Sequence, residues 1–317
     1  IAACLADPWE VALGPDGYLW ITERTGKRIT RIHPETGEKL VALTIPEVHQ
    51  DVAQDGLLGM VLHPQLLKGR GQNNYVYIFF TYEKTPQPNL VRAGKLRRYA
   101  YDEKSATLKD PMDLLSGLPV HNDHVAGRLA FGPDNKLYLS VGDQGSNFGA
   151  NACNPNRAQE TPSAAEVRNQ DWVHYQGKLL RINLDGSVPR DNPVINGVRS
   201  HVYTYGHRNI QGIAFGAGKT YAAEQGPSTD DEINLMRAGG NYGWPNVAGY
   251  RDDRAYVYGN WSAASNCRSL PFDPDKIPAE VPKQKETEWT HPNFVPPIQT
   301  FFTVDDNSRF RADGNAT

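Results

Sequence analysis

"GRLAFGPDNKLYLSVGD", residues 127–143, consists of two apolar runs separated by the sequence Gly-Pro-Asp-Asn. Proline presets the backbone φ of a turn, and asparagine tolerates the positive φ that can follow it. The run after the turn alternates in the way a half-buried strand does. This stretch therefore predicts a β-hairpin.

The same pattern recurs along the chain. It appears in "EVALGPDGYLWITER" (10–24), in "GLLGMVLHPQLL" followed by "NNYVYIFFTY" (56–82), and in "QGIAFGAGKTYAAEQG" (211–226). These units are irregularly spaced, which is typical of β-propeller blades joined by long loops. A β-sandwich with similar turns is the alternative. Either way, the prediction is an all-β protein.

Functional side chains on such scaffolds are carried mainly by long connecting loops. The sequence predicts loops at 43–56, 83–91, 144–170 and 251–290. One stretch, "SAAEVRNQDW" at 163–172, has a helical pattern and is expected to lie within the third of these loops.

The composition excludes several classes of function. A net charge of −3 over 317 residues gives no electrostatic reason to bind nucleic acid or an anionic membrane. The longest apolar runs, such as "YVYIFF" at 75–80, are too short to span a bilayer. The chain begins at Ile1 rather than Met, so removal of an export signal stays open.

Three cysteines, Cys4, Cys153 and Cys267, are scattered without Cys-x-x-Cys spacing. This pattern favours buried or lone thiols over a metal site, and one disulfide is an open alternative.

His124 and Asp143 stand at the two ends of the predicted hairpin of residues 127–143. A histidine with a nearby carboxylate is a candidate general base with an orienting partner. A structural histidine is the alternative. Arg208, in "YTYGHRNIQG" (203–212), could pair with a ligand carboxylate, but this stretch alone favours a surface salt bridge.

The segment "EQGPSTDDEINL" (224–235) contains three consecutive acidic residues. A glycine-rich turn and two more aspartates follow in "GGNYGWPNVAGYRDD" (239–253). Calcium binds six to eight hard oxygens from carboxylates and carbonyls, and this region supplies both. The spacing does not match an EF-hand, and a solvated acidic turn is the alternative.

Together, "NDHVAGRLAFGPDNKLYLSVGDQG", "YGHRNIQGIAF", "EQGPSTDDEINL" and "GGNYGWPNVAGYRDD" closely resemble the soluble PQQ-dependent glucose dehydrogenases, quinoproteins of the glucose/sorbosone dehydrogenase family. The resemblance implies a six-bladed β-propeller, with 1–317 forming a single domain. Four blade units are visible, and a fifth is expected to begin near Trp289. The last blades are expected to be missing from this chain.

The resemblance also implies a mechanism, oxidation of the C1 hydroxyl of an aldose such as glucose to the lactone. His124 matches the base that takes the proton from the anomeric hydroxyl, while hydride passes from C1 to PQQ. Asp143 matches the residue that orients the base. Gln54 and Asp123 match positions beside the sugar. Residues that match the PQQ site are Arg208, which is also placed against the reacting carbonyl, Asn209, Gln211, Gln225, Gly226 and Pro227.

Calcium ions are implied at two places. The backbone carbonyls of Gly226 and Pro227 match those that hold an ion together with PQQ. A second, structural calcium cluster near a dimer contact is implied at Glu232, Tyr242, Ala248, Tyr250, Asp252 and Glu286, with Tyr242, Ala248 and Tyr250 contributing their carbonyls.

The implied partners are an aldose sugar and an external electron acceptor, with no nucleic acid and no membrane span. The implied assembly is a homodimer, located in the bacterial periplasm or secreted. Two other functions stay open: a calcium-dependent sugar-lactone hydrolase, and a binding propeller without enzymatic activity. The preferred aldose and the natural electron acceptor do not follow from the sequence.

Overall fold

The computed structural model describes residues 4–52, 54–69 and 73–305. The chain divides into two compact units: residues 1–139 with 181–189, and residues 140–180 with 190–317. Within the described residues the regular structure is almost entirely antiparallel β, which confirms the all-β prediction. In the same residues, no helix has the length and apolar character needed to cross a membrane.

Two four-stranded sheets belong to the first unit, and each follows the order of the chain, as in a propeller blade. The first sheet contains β1 (Pro8–Leu13), β2 (Leu19–Glu23), β3 (Arg28–Ile32) and β4 (Lys39–Thr44). The second contains β5 (Leu57–Leu62), β6 (Tyr75–Thr85), β7 (Val91–Asp102) and β8 (Thr107–Pro119). Strands β6 and β7 extend into the predicted loop 83–91 and shorten it.

The third sheet has the strand order β14-β11-β10-β9. The strands in this part of the chain are β9 (Ala126–Phe131), β10 (Leu137–Val141), β11 (Lys178–Ile182), the short pair β12 (Val194–Ile195) and β13 (Val198–Arg199), and β14 (Val202–Tyr205).

Helix α1 (Ala164–Asn169) lies in the connection between β10 and β11, within the stretch predicted to be helical. Ser163 caps it: the Ser163 hydroxyl accepts from the Glu166 amide, and the Glu166 carboxylate accepts from the Ser163 amide. The 3-10 turns of the described chain are Gly149–Asn151, Val173–Tyr175, Trp261–Ala263, Cys267–Ser269 and Glu286–Glu288.

The fourth sheet corrects the expectation of a fifth blade near Trp289. Its strands are β15 (Ile210–Gly216), β16 (Lys219–Glu224), β17 (Asp231–Leu235) and, after the short pair β18 (Tyr258–Gly259) and β19 (Lys283–Gln284), β20 (Gln299–Phe301). Asp231 pairs with Phe301, so β20 is the outer strand of the fourth sheet. The segment after Trp289 therefore completes a blade rather than beginning one.

All four predicted hairpins are confirmed, as the pairs β1–β2, β5–β6, β9–β10 and β15–β16. The Gly-Pro-Asp turn of the first hairpin also braces its sheet. The Asp16 carboxylate accepts a hydrogen bond from the Trp20 indole (3.2 Å) and forms an ion pair with Arg31 of β3 (2.5 Å). A Cβ on Gly14 would lie 2.2 Å from that carboxylate, so the position requires glycine.

The hairpin β9–β10 repeats this brace. The Asp134 carboxylate accepts from the Tyr138 hydroxyl (3.0 Å) and from Nε of Arg181 (2.8 Å). The aspartate of the repeated turn thus joins an aromatic residue of the second strand to an arginine of the third.

The cysteine interpretation needs correction. Cys153 and Cys267 form a disulfide, and Cys4 is a free, exposed cysteine. The bridge lies in an apolar cluster with Trp261 and Val281, both buried. It joins two of the predicted functional loops, 144–170 and 251–290. Lone thiols at these two positions were therefore the wrong interpretation, and the alternative of one disulfide is confirmed.

Candidate active site

The first unit brings three predicted residues together. The backbone amide of His124 donates to Oδ1 of Asp123 (2.8 Å), and the side-chain amide of Gln54 donates to the same oxygen. The Asp123 side chain keeps 34% of its surface exposed, whereas that of His124 keeps 3%. The two residues predicted to contact sugar therefore meet directly beside the predicted base.

His124 has an unusual backbone. Its φ is +42°, in the left-handed region, and Ala126 at the start of β9 also has a positive φ of +56°. A residue with a Cβ is strained in this region, at a cost on the order of 1–3 kcal/mol, and such strain clusters at functional sites. The strained turn fixes the point from which the imidazole leaves the chain.

Asp143 lies in the second unit and is 1% exposed. Its Oδ2 accepts from the Trp244 indole (2.6 Å) and from the Asn156 side chain (2.8 Å), and its Oδ1 accepts from the Gly145 amide (2.9 Å). These donors hold the carboxylate in one orientation. The pairing of Asp143 with His124 stays a prediction.

Arg208 is 2% exposed, so the surface salt bridge favoured from its local sequence is wrong. Its carbonyl accepts from the amide of Asp143 (2.8 Å), and its Nη1 donates to the Gln225 carbonyl (3.1 Å). The guanidinium carbon lies 5.6 Å from the centre of the Trp244 ring. The structure thus brings Asp143, Arg208 and Gln225 into one hydrogen-bonded group.

Asn209 and Gln211 differ in their surroundings. Asn209 is 1% exposed and donates to the Gln225 side chain (3.3 Å). Its Oδ1 is buried without a hydrogen bond from any described residue, an arrangement that is costly unless a ligand supplies the donor. Gln211, in β15, is an exposed residue.

Sequence reasoning missed Glu224, which is 6% exposed at the end of β16. Its carboxylate accepts from the backbone amide of Arg208 and lies 2.8 Å from Nδ1 of His207, whose Nε2 is 2.8 Å from the Thr204 hydroxyl. Glu224 therefore anchors the turn that presents Arg208. The signal that could have identified Glu224 is the pairing of β15 with β16, because this register places Glu224 opposite Ile210, just beyond that turn.

A small cavity connects the predicted cofactor and metal residues of the second unit. Its volume is about 10 Å³, close to the space of one water-sized sphere. Seven predicted residues line it, namely Arg208, Gln225, Gly226, Pro227, Glu232, Tyr242 and Ala248. Gly226 is packed so tightly that a Cβ would lie 1.9 Å from the Thr229 carbonyl oxygen.

Two carboxylates near this cavity are buried without a cationic partner. Glu232 is 8% exposed and accepts from the Gly249 amide (2.7 Å), while Glu286 is fully buried and accepts from the Ala248 amide (2.9 Å). In the described chain, no lysine, arginine or histidine forms an ion pair with either. Burial raises the pKa of Glu286 to about 7, and burial followed by the charge of Glu224 raises the pKa of Glu232 well above its usual range.

The remaining members of the predicted calcium set differ in burial. The Asp252 amide donates to the Tyr250 carbonyl (2.9 Å), and both residues are exposed. Tyr242 is 3% exposed, and its hydroxyl donates to the Leu235 carbonyl (2.7 Å). A solvated acidic turn is therefore the wrong description of Glu232, although it fits Asp252.

The two loops joined by the disulfide line a larger cavity of about 100 Å³. Its wall is rich in aromatic residues, and it includes Trp244 and Pro227, the second of which is a predicted cofactor residue. Other residues in this wall are Phe148, Tyr256, Tyr258, Trp261 and Phe272. That these loops contribute to a binding surface stays a prediction.

Comparison with known proteins identifies the family. The profile of the family described as Glucose / Sorbosone dehydrogenase matches residues 5–265. The chain belongs to this family. It is 48% identical over 316 residues to quinoprotein glucose dehydrogenase B of Acinetobacter calcoaceticus, covering 98% of this chain and 65% of that protein. It is also 30% identical over 251 residues to the aldose sugar dehydrogenase YliI of Escherichia coli, covering 76% of this chain and 59% of that protein.

Solved structures of the family have the same fold. The PQQ-bound aldose sugar dehydrogenase from Streptomyces coelicolor aligns with a TM-score of 0.63 at 33% identity, over 78% of this chain and 65% of that one. A crystal structure of a glucose dehydrogenase aligns with a TM-score of 0.68 at 26% identity, over 94% of this chain and 73% of that one. The chain thus spans 65% of the Acinetobacter protein and 59% of the Escherichia coli protein, and its four sheets are blades of a β-propeller.

Proposed function

We propose that this protein oxidises the C1 hydroxyl of an aldose sugar such as glucose to the lactone, with PQQ and calcium as cofactors. The observation that carries the proposal is the 48% identity to a quinoprotein glucose dehydrogenase along 98% of this chain. The strained His124 turn and the group around Arg208 support it, since both consist of residues that the family resemblance implies.

In this proposal, His124 accepts the proton of the anomeric hydroxyl. Gln54 and Asp123, which are hydrogen-bonded to each other, contact the sugar beside the base. Asp143, held by Trp244 and Asn156, orients the imidazole so that one ring nitrogen is free to accept a proton. The left-handed backbone at His124 keeps the base in place before sugar arrives.

Bound PQQ would supply the quinone carbonyl that accepts hydride from C1. The residues of this chain fit such a group, because Arg208 is a buried cation suited to a carboxylate or carbonyl oxygen, and Oδ1 of Asn209 is a buried acceptor without a donor. Gln225 is hydrogen-bonded to both residues and holds them together. Gln211 belongs to the proposed site only through the resemblance.

We place calcium at two sites. Gly226 and Pro227 line a cavity the size of one water molecule, which suits a single ion held by their carbonyls in contact with the cofactor. Glu232 and Glu286 offer buried carboxylate oxygens without a protein cation, and such charges need a counterion. Asp252 and the carbonyls of Tyr242, Ala248 and Tyr250 complete the proposed structural set.

The disulfide supports a periplasmic or secreted location, because disulfides persist in oxidising compartments. The external electron acceptor, the homodimer and the six-bladed propeller rest on the resemblance and are proposed with the function.

The test replaces His124 with glutamine in the full-length protein and measures glucose-dependent dye reduction with PQQ and Ca²⁺ added. We expect kcat to fall about 10²–10⁴-fold, the usual effect of losing a general base. PQQ binding, followed by spectroscopic titration, should not change. His121→Gln is the matched control, because His121 lies three positions away and is hydrogen-bonded to Asn122.

Full turnover by His124→Gln would contradict the assignment of the base. Sugar-lactone hydrolysis that needs calcium but no PQQ would contradict the oxidoreductase function itself.

A further inference from the structure

The loop between β4 and β5 contains a cluster outside the proposed active site. His49, Asp51 and Asp55 each direct a donor atom into one small space, with these atoms within 4.8 Å of one another. Nε2 of His49 lies 3.3 Å from Oδ1 of Asp51 and 3.7 Å from Oδ2 of Asp55. One imidazole nitrogen therefore faces two carboxylates.

The orientation of His49 is characteristic of a metal ligand. Its Nδ1 lies 2.9 Å from Oε1 of Glu83, so this carboxylate can orient the ring with Nε2 directed toward Asp51 and Asp55. Metal-binding histidines are commonly oriented by a carboxylate in this way. The His49 side chain is nine-tenths buried, and Nε2 makes no hydrogen bond with any described residue. A metal ion between Nε2 and the two carboxylates would give this buried nitrogen a partner.

The backbone holds these ligands in place. The amide of His49 donates to the Thr81 carbonyl (2.8 Å), and the Thr81 hydroxyl donates back to the His49 carbonyl (2.7 Å). The Asp55 side chain is fully buried and accepts from the amides of Asp51 and Val52, both at 3.1 Å. Two of the three ligands are therefore positioned before any ion binds.

We propose that His49, Asp51 and Asp55 bind a divalent transition-metal ion such as Zn²⁺. One nitrogen and two carboxylates form a mixed N/O donor set that suits Zn²⁺, Co²⁺ or Ni²⁺, whereas calcium prefers oxygen ligands alone. Three protein ligands leave the remaining coordination positions to water.

Arg92 is the competitor for this site. Its Nη2 lies 2.6 Å from both oxygens of Asp51, and its Nε lies 3.4 Å from Asp55. Arg92 stands directly opposite Glu83 in the β6–β7 pair. The Asp51 side chain is 40% exposed, so it is free to turn from the guanidinium to the ion. Metal binding then replaces the Arg92–Asp51 ion pair with coordination of the ion by Asp51.

The site has a consequence for the neighbouring chain. Gln54 precedes Asp55 directly and donates to Asp123. An ion bound at Asp55 would stiffen the segment that holds Gln54 against Asp123. The proposed site is therefore a structural support for this contact.

The test titrates Zn²⁺ calorimetrically into the full-length protein, with saturating Ca²⁺ present to occupy the oxygen-only sites. We expect a Zn²⁺ site that is lost in His49→Gln and weakened about 10–100-fold in Glu83→Gln, which removes the carboxylate that orients the ligand. Arg92→Gln should bind Zn²⁺ more tightly than the parent. His33→Gln, whose Nδ1 accepts only backbone amides in the described residues, should behave as the parent.

Absence of Zn²⁺ binding in the parent overturns the proposal, as does binding that persists unchanged in His49→Gln. Thermal melts without Zn²⁺ show whether each variant is folded. If His49→Gln does not fold, Glu83→Gln and Arg92→Gln decide the question by their opposite effects. Because no sugar oxidation is measured, this result is independent of the proposed function.

Discussion

Two carboxylate clusters in this molecule balance their charge differently. In the first unit, Asp51 and Asp55 lie beside Arg92 and the His49 imidazole. In the second, Glu232 and Glu286 are held by backbone amides, with no protein cation paired to them in the described chain. Both are dense in negative charge, but only the first carries its own counterion.

The difference shows what kind of ion each cluster can select. Where an arginine already neutralises the acids, a metal must displace it, and a nitrogen ligand then favours transition metals. Where the buried oxygens accept only from neutral amides, those of the backbone and of the Asn234 side chain, the uncompensated charge favours a hard cation such as calcium. The following predictions test this contrast, from the largest expected effect to the smallest.

Removal of calcium should have the largest effect. An ion that binds only the folded state stabilises that state by about 2.7 kcal/mol when its free concentration is 100 times its Kd. EGTA should therefore lower the Tm of the parent, and this shift should shrink in Glu286→Gln, because the buried charge that requires the ion is gone. His49→Gln should keep the full shift, since its cluster is proposed to bind a different metal. A parent melt unaffected by EGTA would contradict the calcium assignment.

Glu23 represents the case of a fully compensated carboxylate. Burial alone would raise its pKa, but hydrogen bonds from Arg28, at 2.8 and 2.9 Å, and from the Ala6 amide outweigh burial and hold the pKa at about 2. Its unfolded pKa is near 4.5, so its contribution to stability is present above pH 4.5 and is lost as the pH falls toward 2.

Glu23→Gln should therefore destabilise the protein by about 1–2 kcal/mol at pH 7, a value reduced for solvent screening of the half-exposed Arg28. Urea unfolding of the parent and the variant from pH 7 to pH 2 measures the difference, which should shrink between pH 4.5 and 2. Glu38→Gln, at an exposed position, is the control. A difference independent of pH would mean that the Glu23 charge contributes nothing.

Glu166 is a carboxylate nearer the surface than Glu286. Like Glu286, its carboxylate accepts from a backbone amide, that of Ser163 (2.7 Å), but 22% of its side chain is exposed and its Oε1 lies 2.9 Å from Nδ1 of His174. Glu166→Gln should change stability by only about 0.5 kcal/mol or less, because water screens a partly exposed charge and its ion pair. A thermal melt compared with that of Glu286→Gln checks this. Equal losses in the two variants would show that burial does not set the requirement for an ion.

The hairpins could be predicted from sequence because their determinants are local. Proline and a residue that tolerates positive φ specify each Gly-Pro-Asp turn within a few residues. The fourth strand of the last sheet was not predictable in the same way, because β20 reaches β17 only after a long excursion that includes β18 and β19. The segment near Trp289 therefore looked like the start of a new blade.

The site residues also divide into those with a local sequence signal and those whose role depends on distant packing. Glu232 and Asp252 stood out as acidic residues, but burial separates them, and burial depends on distant packing. The Cys153–Cys267 bridge could not be selected from three scattered cysteines. The His49 cluster was missed because its supporting Glu83 comes from β6 and its competitor Arg92 from β7. Only the register of those strands brings them to the loop.

The contacts made by Asp16 and Asp134 are compatible with connections of very different length between the strands they join. Asp16 reaches an arginine that follows its aromatic partner closely, whereas Asp134 reaches Arg181 only after the connection that contains α1. The contact is the same in both sheets, although the intervening chain differs greatly in length. Since the entropy cost of closing a loop rises only slowly with its length, a blade braced in this way can accept long insertions between its strands. The connections between strands could therefore lengthen and change in sequence during evolution while the sheets stayed the same.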